Sequence, residues 1–466
     1  MKFYDRESEL ELLEKVIKGK GTCIVVIRGF RRIGKTRLVL ESLKGKEYLR
    51  IFVPKDKTPT SFLIEVSEKY NLPKFTTLRD LINYIFDRYE LIFFDEFQNF
   101  QYIDKSFFSE LQDIIDEYKR KSKKLCLFIS GSSYSLLKKI FYDYATALYG
   151  RKDLEIFLFE LDIKTIMRIF SDLGIRSTED KIKLWAIFGG VPKYYEMLES
   201  LNINNFKEFI DLFYIKNFKS LLEEGKTILI SELGGEYKTY YTVMEAIAFS
   251  KNKISEIASL FNNDTNAVNR YLDLLIKEYD LVNKFSPLIG KDKKITRYKN
   301  KSNFFDFWFR FVRKYGDSYD IGEFERIIKD FDKEFNLYMG RKFEDFIIML
   351  FNCALLKKLN FMKVGKQWGK FKGEKGKNTY EIDVVALNEK TKEILFGECK
   401  WQDKVDAEKT LGELNEKAKH VKWNNEKRKE CLAVFAKSFK KKIDEFQGKK
   451  VYCFDLKDIE KNLPKK

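Results

Sequence analysis

Over the first 160 positions, continuous apolar runs alternate with stretches whose apolar residues recur every three or four positions. Thr22-Cys23-Ile24-Val25-Val26-Ile27-Arg28, Leu91-Ile92-Phe93-Phe94 and Leu125-Cys126-Leu127-Phe128-Ile129 lack polar alternation, which predicts strands buried on both faces of a parallel sheet. Residues 3–13 set Leu and acidic side chains at helical spacing behind Asp5 as N-cap, and residues 37–43 read as a helix. From about Leu161 to Leu222 the spacing is helical, interrupted by the turn residues Gly189, Gly190 and Pro192. Residues 242–249, 253–261 and 266–275 predict three more helices, followed by two short strands around Pro287 and Gly290. The stretch Asn303-Phe304-Phe305-Asp306-Phe307-Trp308-Phe309 is too aromatic to face water and predicts packing within or between domains. Farther on, residues 341–348 predict the opening of an apolar-faced helix, and residues 380–387 and 393–401 predict two strands joined by a turn.

Candidate chemistry lies first in the break between the opening strand and its helix, Gly29-Phe30-Arg31-Arg32-Ile33-Gly34-Lys35-Thr36. Strand, glycine-bounded loop and helix form the context of a phosphate-binding P-loop, whose N–H groups and helix N-terminus cradle phosphate oxygens. Lys35 would reach the β- and γ-phosphates, and the Thr36 hydroxyl would bind Mg²⁺. A chance spacing on a lysine-rich chain is the alternative, and the acids Asp95 and Glu96 weigh against it. They close a buried strand at its carboxyl end, where open α/β sheets bind ligands. Asp95 would hold Mg²⁺ through water, and Glu96 would orient and deprotonate the attacking water. A hydroxyl after the third strand would sense the γ-phosphate, with Ser132 preferred over Ser130 and Ser133, unless these only cap the next helix. Arg151 would stabilise charge on the transferring phosphoryl group or simply be a solvated loop residue.

Composition narrows the class. Hydrophobic residues make up 44% and charged residues 34%, which excludes a disordered chain. Six scattered cysteines and one histidine exclude a structural zinc site by spacing, and no apolar stretch is long enough for a membrane span. With no secretory pattern at residues 1–5, a cytoplasmic location is expected. The net charge of +17 favours an acidic partner, DNA first, although a lysine-coated surface has the same charge.

The P-loop, Asp95-Glu96, Leu148-Tyr149-Gly150-Arg151 and Gly189-Gly190-Val191-Pro192, in this order, resemble the archaeal ATPase family, among the AAA+-related, STAND-type P-loop NTPases. The likeness covers about the first half of the chain. It implies ATP as the nucleotide, the Gly-Gly-x-Pro turn with Pro192 near the adenine, and Arg151 as a nucleotide-sensing arginine. It also gives the Arg6-Glu7 pair and its helix a place beside the adenine. Ala147 departs from the proline frequent before this Leu-Tyr-Gly-Arg motif.

Three helices and a hairpin between about 235 and 313 resemble a winged helix-turn-helix, in which Asn266, Asn269, Arg270 and Lys277 would face a DNA groove. A winged helix used only for packing is the alternative. In the last third, Asp383 lies on one predicted strand, and Glu398 and Lys400 alternate onto one side of the next. With Glu344 on the preceding helix, this resembles the PD-(D/E)xK nuclease core that accompanies archaeal ATPases. The resemblance implies that Asp383 and Glu398 bind Mg²⁺ and that Lys400 orients water or steadies the phosphate. The fold used for binding without cleavage stays open.

These readings predict an α/β P-loop ATPase core (1–160), a helical lid (161–230), a winged helix (235–313) and an α/β restriction-endonuclease-like domain (325–466). The function expected is a Mg²⁺-dependent, ATP-hydrolysing switch acting on DNA, with or without cleavage. A non-cleaving switch on a protein partner and a nucleotide-dependent oligomer are the alternatives.

Overall fold

The computed structural model describes residues 1–131, 134–234, 237–290, 295–356, 359–371 and 379–464. Five parallel strands build the first sheet: β1 (Thr22–Gly29), β2 (Leu49–Phe52), β3 (Leu91–Asp95), β4 (Leu125–Ser130) and β5 (Leu154–Leu158), in the order β2-β3-β4-β1-β5. Alternation along β1 sends Ile24 and Val26 into one apolar cluster and Val25 and Ile27 into another, so helices cover both faces. All five carboxyl ends lie at one edge, and β4 sits between the strands that end in the P-loop and in Asp95.

The lid region is helical, with Thr178–Phe188 and Pro192–Ser200 separated at Gly189 by a left-handed φ of 57°. A 16-residue helix, Phe218–Leu233, leads back over the P-loop. Next come the helices Tyr237–Ala248, Ile254–Ala258 and Thr265–Lys277 and the antiparallel pair β6 (Val282–Phe285) and β7 (Arg297–Asn300). The aromatic stretch is core: Phe304, Phe305, Phe307, Trp308, Phe309 and Phe311 are all buried.

The helix expected to open at 341 instead runs from Phe324 to Asn352, 29 residues. Ile327, Phe331, Phe335 and Tyr338 keep one buried stripe through its charged first half, so the helical period starts well before residue 341. The last sheet contains β8 (Lys363–Lys370), β9 (Thr379–Asn388) and β10 (Glu393–Lys400). Then come β11 (Val405–Asp406), β12 (Lys429–Ala436), β13 (Phe439–Lys441), β14 (Glu445–Phe446) and β15 (Lys449–Phe454), of which β11 and β13 form a separate small pair. The larger sheet has the order β14-β15-β12-β10-β9-β8. Its β8-β9-β10 meander is antiparallel, whereas β12 runs parallel to β10 after the crossover helix Ala407–Ala418. One apolar cluster links the lid, the three-helix unit and one face of this sheet.

Candidate nucleotide site and C-terminal acidic cluster

The turn out of β1 is stabilised by its own side chains. Ile33 is buried among the helices below the sheet, and the Phe30 ring meets Phe305 edge-on at 6.1 Å. A Cβ on Gly29 would meet the Leu158 carbonyl at 2.5 Å, and Gly34 has φ 93°, so neither position accepts a larger residue without strain. Lys35 opens the helix Lys35–Ser42 and folds its ammonium onto the Gly29 and Phe30 carbonyls, each at 2.9 Å. Burial draws the Lys35 pKa below its ordinary value, against the opposing pull of Glu232, Glu96 and Asp95.

Asp95, at the end of β3, is the hub. The Thr36 hydroxyl lies 3.1 Å from both its oxygens, the Ser130 hydroxyl donates to it at 2.7 Å, and Arg50 pairs with it at 2.7 Å. A hydroxyl and a carboxylate this close suit a hard cation such as Mg²⁺. Glu96 follows in a left-handed conformation, φ 61°, rare outside glycine and common at functional sites. The buried Gln98 amide donates to its carboxylate at 2.6 Å. Arg6 and Pro192 line one small cleft beside Gly34, together with Tyr4 and Arg37. Ser132 and Ser133 lie outside the described residues; Ser130 is the hydroxyl seen at Asp95.

Arg151 is not at this site. The backbone N–H of Asp153 bonds to the Ile24 carbonyl at 2.9 Å, near the amino end of β1. Gly29 lies five positions beyond Ile24, roughly 16 Å at ~3.3 Å per residue. The Arg151 guanidinium holds Asp116 at 3.0 and 3.2 Å. A residue that precedes a parallel strand lies at the amino edge, opposite the P-loop, so Arg151 does not sense the nucleotide of its own chain.

The helix Phe218–Leu233 covers the P-loop. Arg32 pairs with Glu224 at 2.5 Å, Arg31 donates to the Ser231 hydroxyl, and the charge of the buried Glu232 pulls on Lys35 more than those of Glu96 and Asp95. Burial lifts the Glu224 pKa. These acids face the cations that phosphates would meet. No local motif announces them; Gln98, two residues beyond Glu96, was the only neighbour that proximity in sequence could have suggested.

In the last sheet, Asp383 accepts from the Cys399 N–H at 2.9 Å, which sets it beside Glu398 across the β9–β10 pair. Lys400 and Lys417 hold Glu398 at 2.9 and 3.0 Å, and Lys366 holds Glu344 at 2.7 Å. Burial, then the charges of Glu344 and Glu398, push the Asp383 pKa well up, so the expected acids do share one region. Among the described residues, no three His, Cys, Asp or Glu side chains stand close enough to hold a metal ion. Oxygen donors from Asp383 and Glu398 are nonetheless of the type that Mg²⁺ takes, often only one or two carboxylates at a time.

Residues 3–198 match the family model described as an ATPase domain predominantly from Archaea. The matched segment holds the P-loop, Asp95 and Glu96. Residues 308–411 match a second family, described as archaeal and bacterial proteins of unknown function. An uncharacterized protein of Methanocaldococcus jannaschii is 28% identical over 464 residues, 98% of this chain and 100% of that one. Among solved structures, a Walker-type ATPase of Pyrococcus abyssi is 18% identical, with a TM-score of 0.48 over 66% of this chain and 96% of that one. The ORC2 protein of Aeropyrum pernix is 13% identical, with a TM-score of 0.39 over 64% and 90%. Among the described residues, no helix is long and apolar enough to cross a membrane.

Proposed function

We propose that the protein binds and hydrolyses ATP and uses the cycle to switch the action of its C-terminal half on DNA. The observation that carries this reading is the gathering of Lys35, Thr36, Asp95 and Glu96 at one sheet edge, under a helix whose Glu224 pairs with Arg32 of the same loop. Lys35 and the loop N–H groups bind phosphates, Thr36 and Asp95 hold Mg²⁺, and Glu96 takes the proton from water. The metal, when bound, neutralises charge on the transferring phosphoryl group. Phosphates compete with Glu224 for Arg32 and are repelled by the charge of Glu232, so nucleotide entry favours release of the helix Phe218–Leu233.

Removing the Glu232 charge should tighten binding. Glu232→Gln is expected to raise ATP affinity about three- to tenfold in a fluorescent-nucleotide titration, because a negative charge that would repel the phosphates beside Lys35 is removed. Unchanged or weaker binding would remove the helix from control of the site.

For the C-terminal half, helix, antiparallel meander, crossover helix and parallel strand support a nuclease-like arrangement, with Asp383 and Glu398 as Mg²⁺ ligands and Lys400 beside the scissile phosphate. Glu344 would complete the acidic set from its helix. In the three-helix unit, Asn266, Asn269 and Arg270 are exposed on one helix face beside a hairpin, which supports a winged-helix contact with DNA. Lys277 is exposed too, although it pairs with Asp273. A second reading, a switch that binds without cutting, is favoured by the hold of two lysines on Glu398.

The deciding experiment incubates supercoiled and linear DNA with Mg²⁺ or Mn²⁺, with and without ATP. It compares the wild type with Asp383→Ala and Lys35→Ala. Cleavage lost in Asp383→Ala and made independent of ATP in Lys35→Ala is the expected result. ATP turnover without any cleavage favours the second reading; unchanged ATP binding in Lys35→Ala overturns the P-loop assignment.

A further inference from the structure

A second group of charges lines a cavity away from the P-loop and borders the acidic cluster only through Lys366. The three-helix unit, β7, β8 and the long helix Phe324–Asn352 enclose a cavity of about 100 Å³. Tyr338, Arg341, Lys342 and Asp345 lie three, four and seven positions apart on that helix and so share the face that lines it. Lys299 reaches it from β7, Lys366 from β8 and Arg310 from the π-helical turn Trp308–Val312.

Five cations therefore face two carboxylates, and both carboxylates are already taken. Lys342 pairs with Asp306 at 2.7 Å, while Asp345 is shared by Lys366 at 3.3 Å and Lys299 at 3.7 Å. Arg310, 9% exposed, is held by neutral groups alone: the Ala248 carbonyl and the Ser250 hydroxyl. The Arg341 guanidinium has no hydrogen-bond or ion-pair partner among the described residues. Burial, and then the neighbouring charge of Arg341, draw the Arg310 pKa down to about 10. Two guanidinium groups near each other in a half-dry cavity are costly unless an anion lies between them.

We propose that this cavity binds a small phosphate-type oxyanion, gripped by Arg310 and Arg341 with Lys299 as a further cation. Guanidinium forks match phosphate oxygens bidentately, which a single ammonium cannot do. The volume admits a phosphoryl-sized group and excludes a nucleoside or a duplex. Lys366 lines the same cavity and holds Glu344 at 2.7 Å, so an anion here competes for the lysine that neutralises that acid. The inference does not depend on the ATPase or nuclease readings.

Calorimetric titration of the full chain tests it, in a Lys35→Ala background that disables the P-loop, using pyrophosphate, inorganic phosphate and ATP as separate probes. Saturable binding of pyrophosphate or phosphate is expected, at least about tenfold weaker in Arg341→Gln and weakened also in Lys299→Gln. Both substituted side chains are partly exposed, and an unchanged melting temperature shows that each variant folds. Tighter binding of ATP than of pyrophosphate would assign the anion to the tail of a larger ligand and overturn the size argument. No saturable binding, or equal affinity in all variants, overturns the site. DNA binding lost in Arg341→Gln without any pyrophosphate binding reassigns the cluster to DNA and also overturns it.

Discussion

Glu96→Gln should leave ATP binding within about twofold of wild type while lowering steady-state hydrolysis by ~10² to 10⁴, the usual contribution of a positioned general base. A hundredfold loss corresponds to ~2.7 kcal/mol of transition-state stabilisation. The two quantities separate because Glu96 acts on the attacking water, whereas the phosphates are held by the Gly29–Thr36 turn. The substitution is nearly isosteric, and the new amide's carbonyl can still accept from Gln98, so the left-handed turn at φ 61° is kept. Lys35→Ala should give the opposite pattern, with binding itself lost. Parallel measurement of nucleotide affinity and single-turnover hydrolysis distinguishes them, and normal turnover in Glu96→Gln would eliminate it as the base.

Gly225→Ala is expected to lower stability by about 1–3 kcal/mol, the usual cost of forcing a methyl into a filled core. Gly225 lies in the middle of the helix Phe218–Leu233, against the buried Trp308 indole, where an added Cβ would overlap the ring. The indole cannot retreat easily, because its Nε1 donates to the Leu221 carbonyl at 2.9 Å. Helix propensity pulls the other way: alanine is favoured over glycine by ~1 kcal/mol in a helix interior. The sign of the change in a thermal melt therefore decides whether the contact is as close as described. A stabilised variant would show that helix and ring have room to part.

The nucleotide site was legible where its parts are local. The P-loop is one continuous stretch, and Asp95-Glu96 ends a run whose burial its composition dictates. Asp383, Glu398 and Lys400 were legible for a similar reason, since alternation fixes which strand residues share a side. Arg151 was misjudged because motif order does not reveal the sheet edge; the start of β5 three residues later does. Arg50, Lys366 and the acids of the covering helix were hidden for a different reason. Each acts on a residue far away in the chain, and a lone cation in a strand or a glutamate in a helix looks the same in sequence whether it faces solvent or a phosphate cradle. The long helix extends beyond the predicted one because its charged first half masks a buried stripe that only its packing partners make plain.

The helix Phe218–Leu233 touches the P-loop through Glu224 and Ser231 and the Trp308 indole through Gly225. Trp308 belongs to the segment from which the C-terminal half is built. Free-energy linkage then runs in both directions. If ATP, by loosening the helix, raises the affinity for a ligand of the C-terminal half by a given factor, that ligand raises ATP affinity by the same factor. The nucleotide dissociation constant thereby becomes a gauge of what the far end of the molecule has bound, readable without any assay of the C-terminal activity itself.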